Sequence, residues 1–238
     1  MGNQKPRRTS EIFQKFKDKE EANIHFFNLF FKEPVGCHVS EIMKFLSLVP
    51  NLISKEMNEA LESKVTREEI LSILTSFEKG KSLGLDSLSI DFYLGIYELL
   101  KEYFVKVVQE SKSSGKLLAA LNSTSTALIP KGRNVDAFEE FRSMYFCNVI
   151  YKLISKIISN RLKYLLEGNI SKEQFRFLHD RKIHDVVAIA KKSLVSIKYS
   201  KILVAILKID LTKVYNKFIW IYLKLIFLQL GMNLVMLN

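Results

Sequence analysis

One stretch constrains the fold of this chain more than any other: NVIYKLISKIISNRLKYLL, residues 148–166. Ile150, Leu153, Ile154, Ile157, Ile158, Leu162 and Leu165 recur at helical spacing and mark one side of a helix that must be buried. At about 100° per residue, Lys152, Lys156 and Lys163 gather on the opposite side. A helix of this kind needs a packed layer beneath it and leaves a row of cations above. Arg161 falls within the apolar side, where a guanidinium either snorkels to water or meets a buried acceptor.

The rest of the chain can supply such a layer. Of its 238 residues, 48% are hydrophobic and 26% charged, which permits a packed core and excludes global disorder. Only 9 Gly and 4 Pro interrupt it, so long regular elements, mostly helices, are expected. A helical rhythm covers Ile12–Phe31, and Glu33–Lys55, with Pro34, Gly36 and Pro50, is expected to be irregular. Thr66 followed by Glu69 reads as a capping box opening a helix with Ile70, Ile73, Leu74 and Phe77 on its apolar side. Gly80–Ser87 breaks that helix, a second helical stretch covers Ile90–Ser111, and Gly115 ends it. Ser125–Gly132 reads as a short strand into a turn, and Val186–Ile197 and Trp220–Leu230 as helices. Ile202–Asp210 is apolar except for Lys208 and suits a strand buried on both faces. The expected class is mixed α/β and helix-rich, in one large domain or two small ones.

Charge is concentrated. The net formal charge is +11, yet residues 141–201 alone hold 13 Lys/Arg against 4 Asp/Glu, a net of +9. A localised basic face is the footprint of a polyanion binder, although a solvated lysine-rich surface looks the same in sequence. Cys37 and Cys147 lie far apart and fit neither a metal spacing nor a disulfide framework, so a reducing compartment is expected. The start, MGNQKPRR, is unlike a signal peptide, which points to an intracellular protein, nuclear or cytoplasmic and not secreted. The apolar tail Phe218–Asn238 raises a membrane anchor as an alternative to a core helix, with the core helix preferred and no membrane partner expected.

The order of several motifs carries a resemblance. KSLGLDS is similar to a Lys-Ala-Pro-Gly-Pro-Asp-Gly turn, and ALIPKG to a strand ending Leu-Ile-Pro-Lys. FRSMYFCNVIYKLISKIISNRLK is similar to Phe-Arg-Pro-Ile-Ser-Leu followed by a basic helix. ISKEQFRFLHDRKIHD is similar to Ser-x-x-Gln-x-x-Phe followed by Gly-Arg-x-Ile-x-Asp, and LKIDLTKVYNKFIW to Leu-Lys-Leu-Asp-x-x-Lys-Ala-Tyr-Asp-x-Val-x-Trp. In this order, over about residues 66–231, they resemble the reverse transcriptase of non-LTR, LINE-type retrotransposons of the plant kind. One such motif is a weak signal, but five in sequence are specific.

The resemblance implies fingers plus the first strand of a polymerase palm, with the palm incomplete and the thumb absent. Residues 1–65 then form an N-terminal helical linker region, 66–200 the fingers-like part, and 201–238 the truncated start of the palm. It implies an RNA template, a DNA primer, deoxynucleotides and Mg2+ as partners. Asp210 stands at the first metal-ligand position, and the Leu211 carbonyl would help to hold the second metal. Read without the resemblance, Asp210 is a helix cap. Tyr215 stands where an aromatic ring gates the sugar, and otherwise reads as a core tyrosine. Lys131 and Arg142 match residues that approach the triphosphate, a task that suits a guanidinium fork. Gln174 and Arg181 match positions near the template, and Lys152, Lys156 and Lys163 would then meet phosphates without reading sequence.

The chain also departs from the pattern. Leu83 and Leu85 replace prolines and Ser87 a glycine in the first turn, and Ser143 replaces the proline after Arg142. Asp180 takes a glycine's place, and Asn216 stands where a second acid is usual. No Asp-Asp dipeptide occurs in the 238 residues. One carboxylate cannot position two metals, so a fragment inactive alone is expected. The alternatives are a non-catalytic nucleic-acid-binding remnant using residues 141–201 and, less favoured, a tail-anchored membrane protein.

Overall fold

A computed structural model describes residues 39–81, 83–132, 140–171, 173–174, 182–201, 203–207, 209 and 219–236. Five helices lead in: α1 Val39–Leu46, α2 Lys55–Glu62, α3 Arg67–Ser76, α4 Ile90–Gly95 and α5 Tyr97–Ser114. A single turn, α6 Ala119–Asn122, precedes the strands β1 Thr124–Pro130 and β2 Phe141–Cys147. The helices α7 Val149–Leu166, α8 Ile183–Ser200 and α9 Trp220–Gln229 follow, with a 3-10 turn at Leu234–Met236. The described residues are therefore a helix-rich mixed α/β fold with a two-stranded antiparallel sheet.

Local chemistry sets the ends of several elements. Ser54 Oγ accepts from Met57 N at 3.3 Å, Thr66 Oγ1 from Glu69 N at 3.1 Å and Ser89 Oγ from Phe92 N at 3.1 Å, each satisfying an orphan N–H of α2, α3 or α4. Gly115 takes φ +63, the left-handed conformation that closes α5. The helical stretch expected over Ile90–Ser111 comprises two helices, α4 and α5, parted at Ile96 beside the weak helix former Gly95. In the segment expected to be irregular, Pro50 lies beyond α1 rather than within it, so a helix forms at Val39–Leu46.

The main core lies between α3, α4, α5 and α7. Ile70, Leu74 and Leu153 are fully enclosed there, and Tyr97 stacks on Phe104 with centroids 6.0 Å apart. A smaller cluster joins Ile53 and Leu61 to Leu165 of α7 and to Leu230 and Met232 after α9. Backbone pairing fixes that junction. Leu52 N and Ile53 N both donate to Leu230 O, at 2.9 and 2.8 Å, and Asn58 Nδ2 donates to Gly231 O at 2.8 Å. A Cβ on Gly231, at φ +98, would lie 2.5 Å from Asn51 Oδ1 and 2.8 Å from Ile53 O. The apolar tail thus ends in a packed cluster. Among the described residues no helix is long and apolar enough to cross a membrane, which counts against the anchor.

The strand expected at Ile202–Asp210 does not form in its described part. Residues 203–207 and 209 have no regular structure, and Leu203 is fully exposed and Ile206 73% exposed. A buried strand needs backbone partners as well as apolar side chains. Among the described residues the sheet pairs β1 with β2 alone. The helix expected over Ile12–Phe31 lies outside the described residues.

Candidate nucleic-acid interface

The site is built from a hairpin, a turn and one face of α7. In the β1–β2 register Ile129 opposes Arg142 and Pro130 opposes Phe141. The ladder extends by one bond, from Lys131 N to Glu140 O at 2.9 Å. Continuing the period-two alternation of β1 by one residue places Lys131 on the face shared by Ile129 and Arg142. The hairpin therefore carries both cations on one face near the end at which the chain passes from β1 to β2. Arg142 is exposed and, among the described residues, has no ion-pair partner.

The turn at residues 80–87 docks where β2 meets α7. Asn148, buried at that junction, donates from Nδ2 to Ala120 O at 3.0 Å and accepts at Oδ1 from Asp86 N at 3.3 Å. It lies so close to the turn that a Cβ on Gly84 would come within 2.3 Å of Asn148 Oδ1 and 2.7 Å of its Cα. Gly84 is needed for that approach, not for a special dihedral. Ser87 N donates to Gly84 O at 3.1 Å to close the turn, and Ser87 takes φ +57. A left-handed serine is strained where a glycine would be free. Asp86 Oδ1 accepts from Leu88 N at 3.1 Å, and burial, with the Asp86 charge nearby, pushes the Tyr93 hydroxyl up to about 12.

The buried side of α7 settles the position of Arg161. Its Nε and Nη2 donate to the two Glu69 carboxylate oxygens at 2.9 and 2.7 Å. Its Nη1 donates to Leu61 O and Ser63 O at 3.0 and 2.8 Å, and Nη2 also reaches Lys64 O at 3.4 Å. Arg161 thus meets acceptors beneath the helix, with a side chain only 15% exposed. Its pairing also explains half of the capping box. Thr66 accepts from Glu69 N as expected, but the Glu69 carboxylate is engaged by Arg161. Lys112 Nζ shares the same acceptors, Leu61 O at 3.3 Å and Ser63 O at 2.9 Å. Burial, and then the Arg161 charge, hold its pKa below the usual lysine range.

With Arg161 committed inward, the outward cations of α7 are Lys152, Lys156 and Lys163. They fall within an arc of about 40°, opposite Ile150, Leu153, Ile157 and Leu165. Gln174 follows α7, its backbone N–H closing a turn onto Ser171 O at 3.1 Å. Arg181, Asp210, Leu211 and Tyr215 lie outside the described residues. Among the described residues no group of three His, Cys, Asp or Glu could hold a metal ion, and the positions expected to hold Mg2+, Asp210 and Leu211, lie outside them. Sequence reasoning missed Asn148 as the joint between turn, α6 and α7. Its place before a helix suggests a cap, but its side chain makes no capping bond.

No protein-family model matches the chain. It is similar to an uncharacterized 149 kDa protein of transposon TX1 from Xenopus laevis, with 26% identity over 199 residues. The likeness covers 84% of this chain and 15% of that protein. It supports a transposon origin for the chain, which spans a small part of the relative's length.

Proposed function

We propose that the chain is a piece of the RNA-directed DNA polymerase of a non-LTR, LINE-type retrotransposon, comprising its fingers and the start of its palm. One observation carries this reading. Three segments that resemble that family, far apart in sequence, converge: the turn around Gly84 rests on Asn148, which ends the strand carrying Arg142, and that strand pairs with the one leading to Lys131. The left-handed Ser87 keeps a glycine-like conformation where the family has glycine. In this role Lys131 and Arg142 meet the triphosphate of an incoming deoxynucleotide. Lys152, Lys156 and Lys163, with Gln174 and Arg181, hold the RNA template and DNA primer through phosphates. Asp210 and the Leu211 carbonyl are the Mg2+ positions and Tyr215 the sugar gate, in an intracellular setting.

A second reading, a non-catalytic nucleic-acid binder, is favoured by the net charge of +9 concentrated in residues 141–201. A salt series of filter-binding measurements on an RNA–DNA hybrid tests what the two readings share. Affinity should fall steeply with salt, and replacing Lys152, Lys156 and Lys163 by Gln should flatten the log–log slope by about 3. A flat response in the unsubstituted chain would sink both readings. Primer extension with oligo-dT on poly-rA separates them. The 238-residue chain should extend nothing alone, and extension abolished by Asp210→Asn would make it a polymerase outright.

A further inference from the structure

We infer that the basic face of α7 takes single-stranded nucleic acid and seats one unstacked base in a cavity at its margin. The inference rests on the reading that the α7 lysines bind nucleic acid, and it names the form of the strand. The cavity measures about 240 Å³ and is lined by Ala60, Leu61, Asn160, Arg161, Tyr164 and Leu165. That is below the roughly 300 Å³ at which sites for drug-sized ligands begin, and it suits a single planar ring system.

Its chemistry is that of a base site. Leu61 and Leu165, both buried, give an apolar floor. Tyr164 is 82% exposed and, among the described residues, has no ring partner and no hydrogen bond. Such a ring stands ready to stack. Asn160, one turn before it, carries an exposed amide with no protein partner among the described residues, so its donors and acceptor remain for a base edge. The Arg161 donors are all engaged, so Arg161 lines the cavity without a free hydrogen-bond donor and leaves the base edge to Asn160.

The cavity adjoins the cations. On the α7 wheel Asn160 falls between the lysine stripe and the buried side, while Tyr164 lies on the buried side near the helix's C-terminal end, where it stands exposed. Lys156 lies one turn before Asn160, and Lys163 is next to Tyr164 in the chain. A strand whose phosphates follow the lysines therefore passes the mouth of the cavity. Basic groups beside a free aromatic ring are the recurring means of binding unpaired strands. A paired base cannot enter without being flipped out of its stack.

The test is fluorescence anisotropy with the 238-residue chain, a labelled single-stranded RNA and the blunt duplex made from it. The single strand should bind more tightly. Tyr164→Ala should weaken single-strand binding about tenfold and leave duplex binding unchanged, while Tyr164→Phe retains both. Because Tyr164 is exposed, the thermal melt should not move, which keeps loss of folding out of the reading. Unchanged single-strand affinity in Tyr164→Ala, or equal losses for both probes, would overturn the base site. If Lys156→Gln still weakens binding in that case, the polyanion face survives without it. No binding of either probe at low salt would overturn both claims.

Discussion

Helices α7 and α8 are each 18 residues long, each with apolar residues at helical spacing and lysines beside them. Their fates differ. Helix α7 buries Val149, Ile150, Leu153, Ile157 and Leu165, whereas α8 buries none of its residues and leaves Ile183, Val187, Leu194 and Val195 exposed. An amphipathic pattern states which side would be buried, not that a second surface will be there to bury it. For α7 that surface is supplied by α3 and α5 and fastened by long-range polar anchors: Asn148 at one end, and Arg161 with Glu69 near the other. No described element packs closely along α8.

The contrast can be broken most directly in the apolar faces. Leu153→Ala, at a fully enclosed site, should cost about 3 kcal/mol of stability in urea unfolding. Leu194→Ala, on the exposed face of α8, should stay within about 0.5 kcal/mol. Similar losses would mean that α8 is packed in solution and that the difference between the helices is unreal.

The anchors give the next largest effect. Arg161→Met leaves the Glu69 carboxylate without its partner and removes one of the two donors, Arg161 and Lys112, that Leu61 O and Ser63 O each have. A loss of about 3 kcal/mol is expected. The double variant with Glu69→Met should recover part of it, since the unpaired acid is then gone as well. A single variant as stable as the parent would show that apolar burial alone holds α7.

Much of this was readable in the sequence, and the pattern of what was not is physical. The apolar side of α7, the Thr66 cap and the strand into Lys131 rest on local chemistry, and each is present. Arg161 stood out as a cation on an apolar side, but its acceptors lie about a hundred residues away in the chain, so sequence left two outcomes open. Asn148 gave no signal of its long-range role. The apolar run at 203–209 looked like a buried strand because side chains report a tendency to be buried, while pairing depends on an edge elsewhere. For the candidate site, Lys131 and Arg142 were brought to one face by hairpin register, which sequence implied only through resemblance. Asn160 and Tyr164 were not singled out, because the cavity beside them needs Ala60 and Leu61 from α2.

The smallest effect sharpens the comparison at two strained turns. Ser87 and Lys201 are the described non-glycine residues with positive φ, at +57 and +50. Ser87 belongs to the turn docked on Asn148 at the start of α7, and Lys201 ends α8. Glycine relieves the same Cβ strain at either place. Ser87→Gly should raise the stability of the whole by about 1 kcal/mol, because its turn is part of the cooperative core. Lys201→Gly should leave the global unfolding midpoint where it is, because α8 unfolds without breaking that core. Amide hydrogen exchange on both variants decides the matter. Slower exchange throughout α7 in the first, and a change confined to the end of α8 in the second, is the outcome expected if one helix belongs to the core and the other stands apart from it.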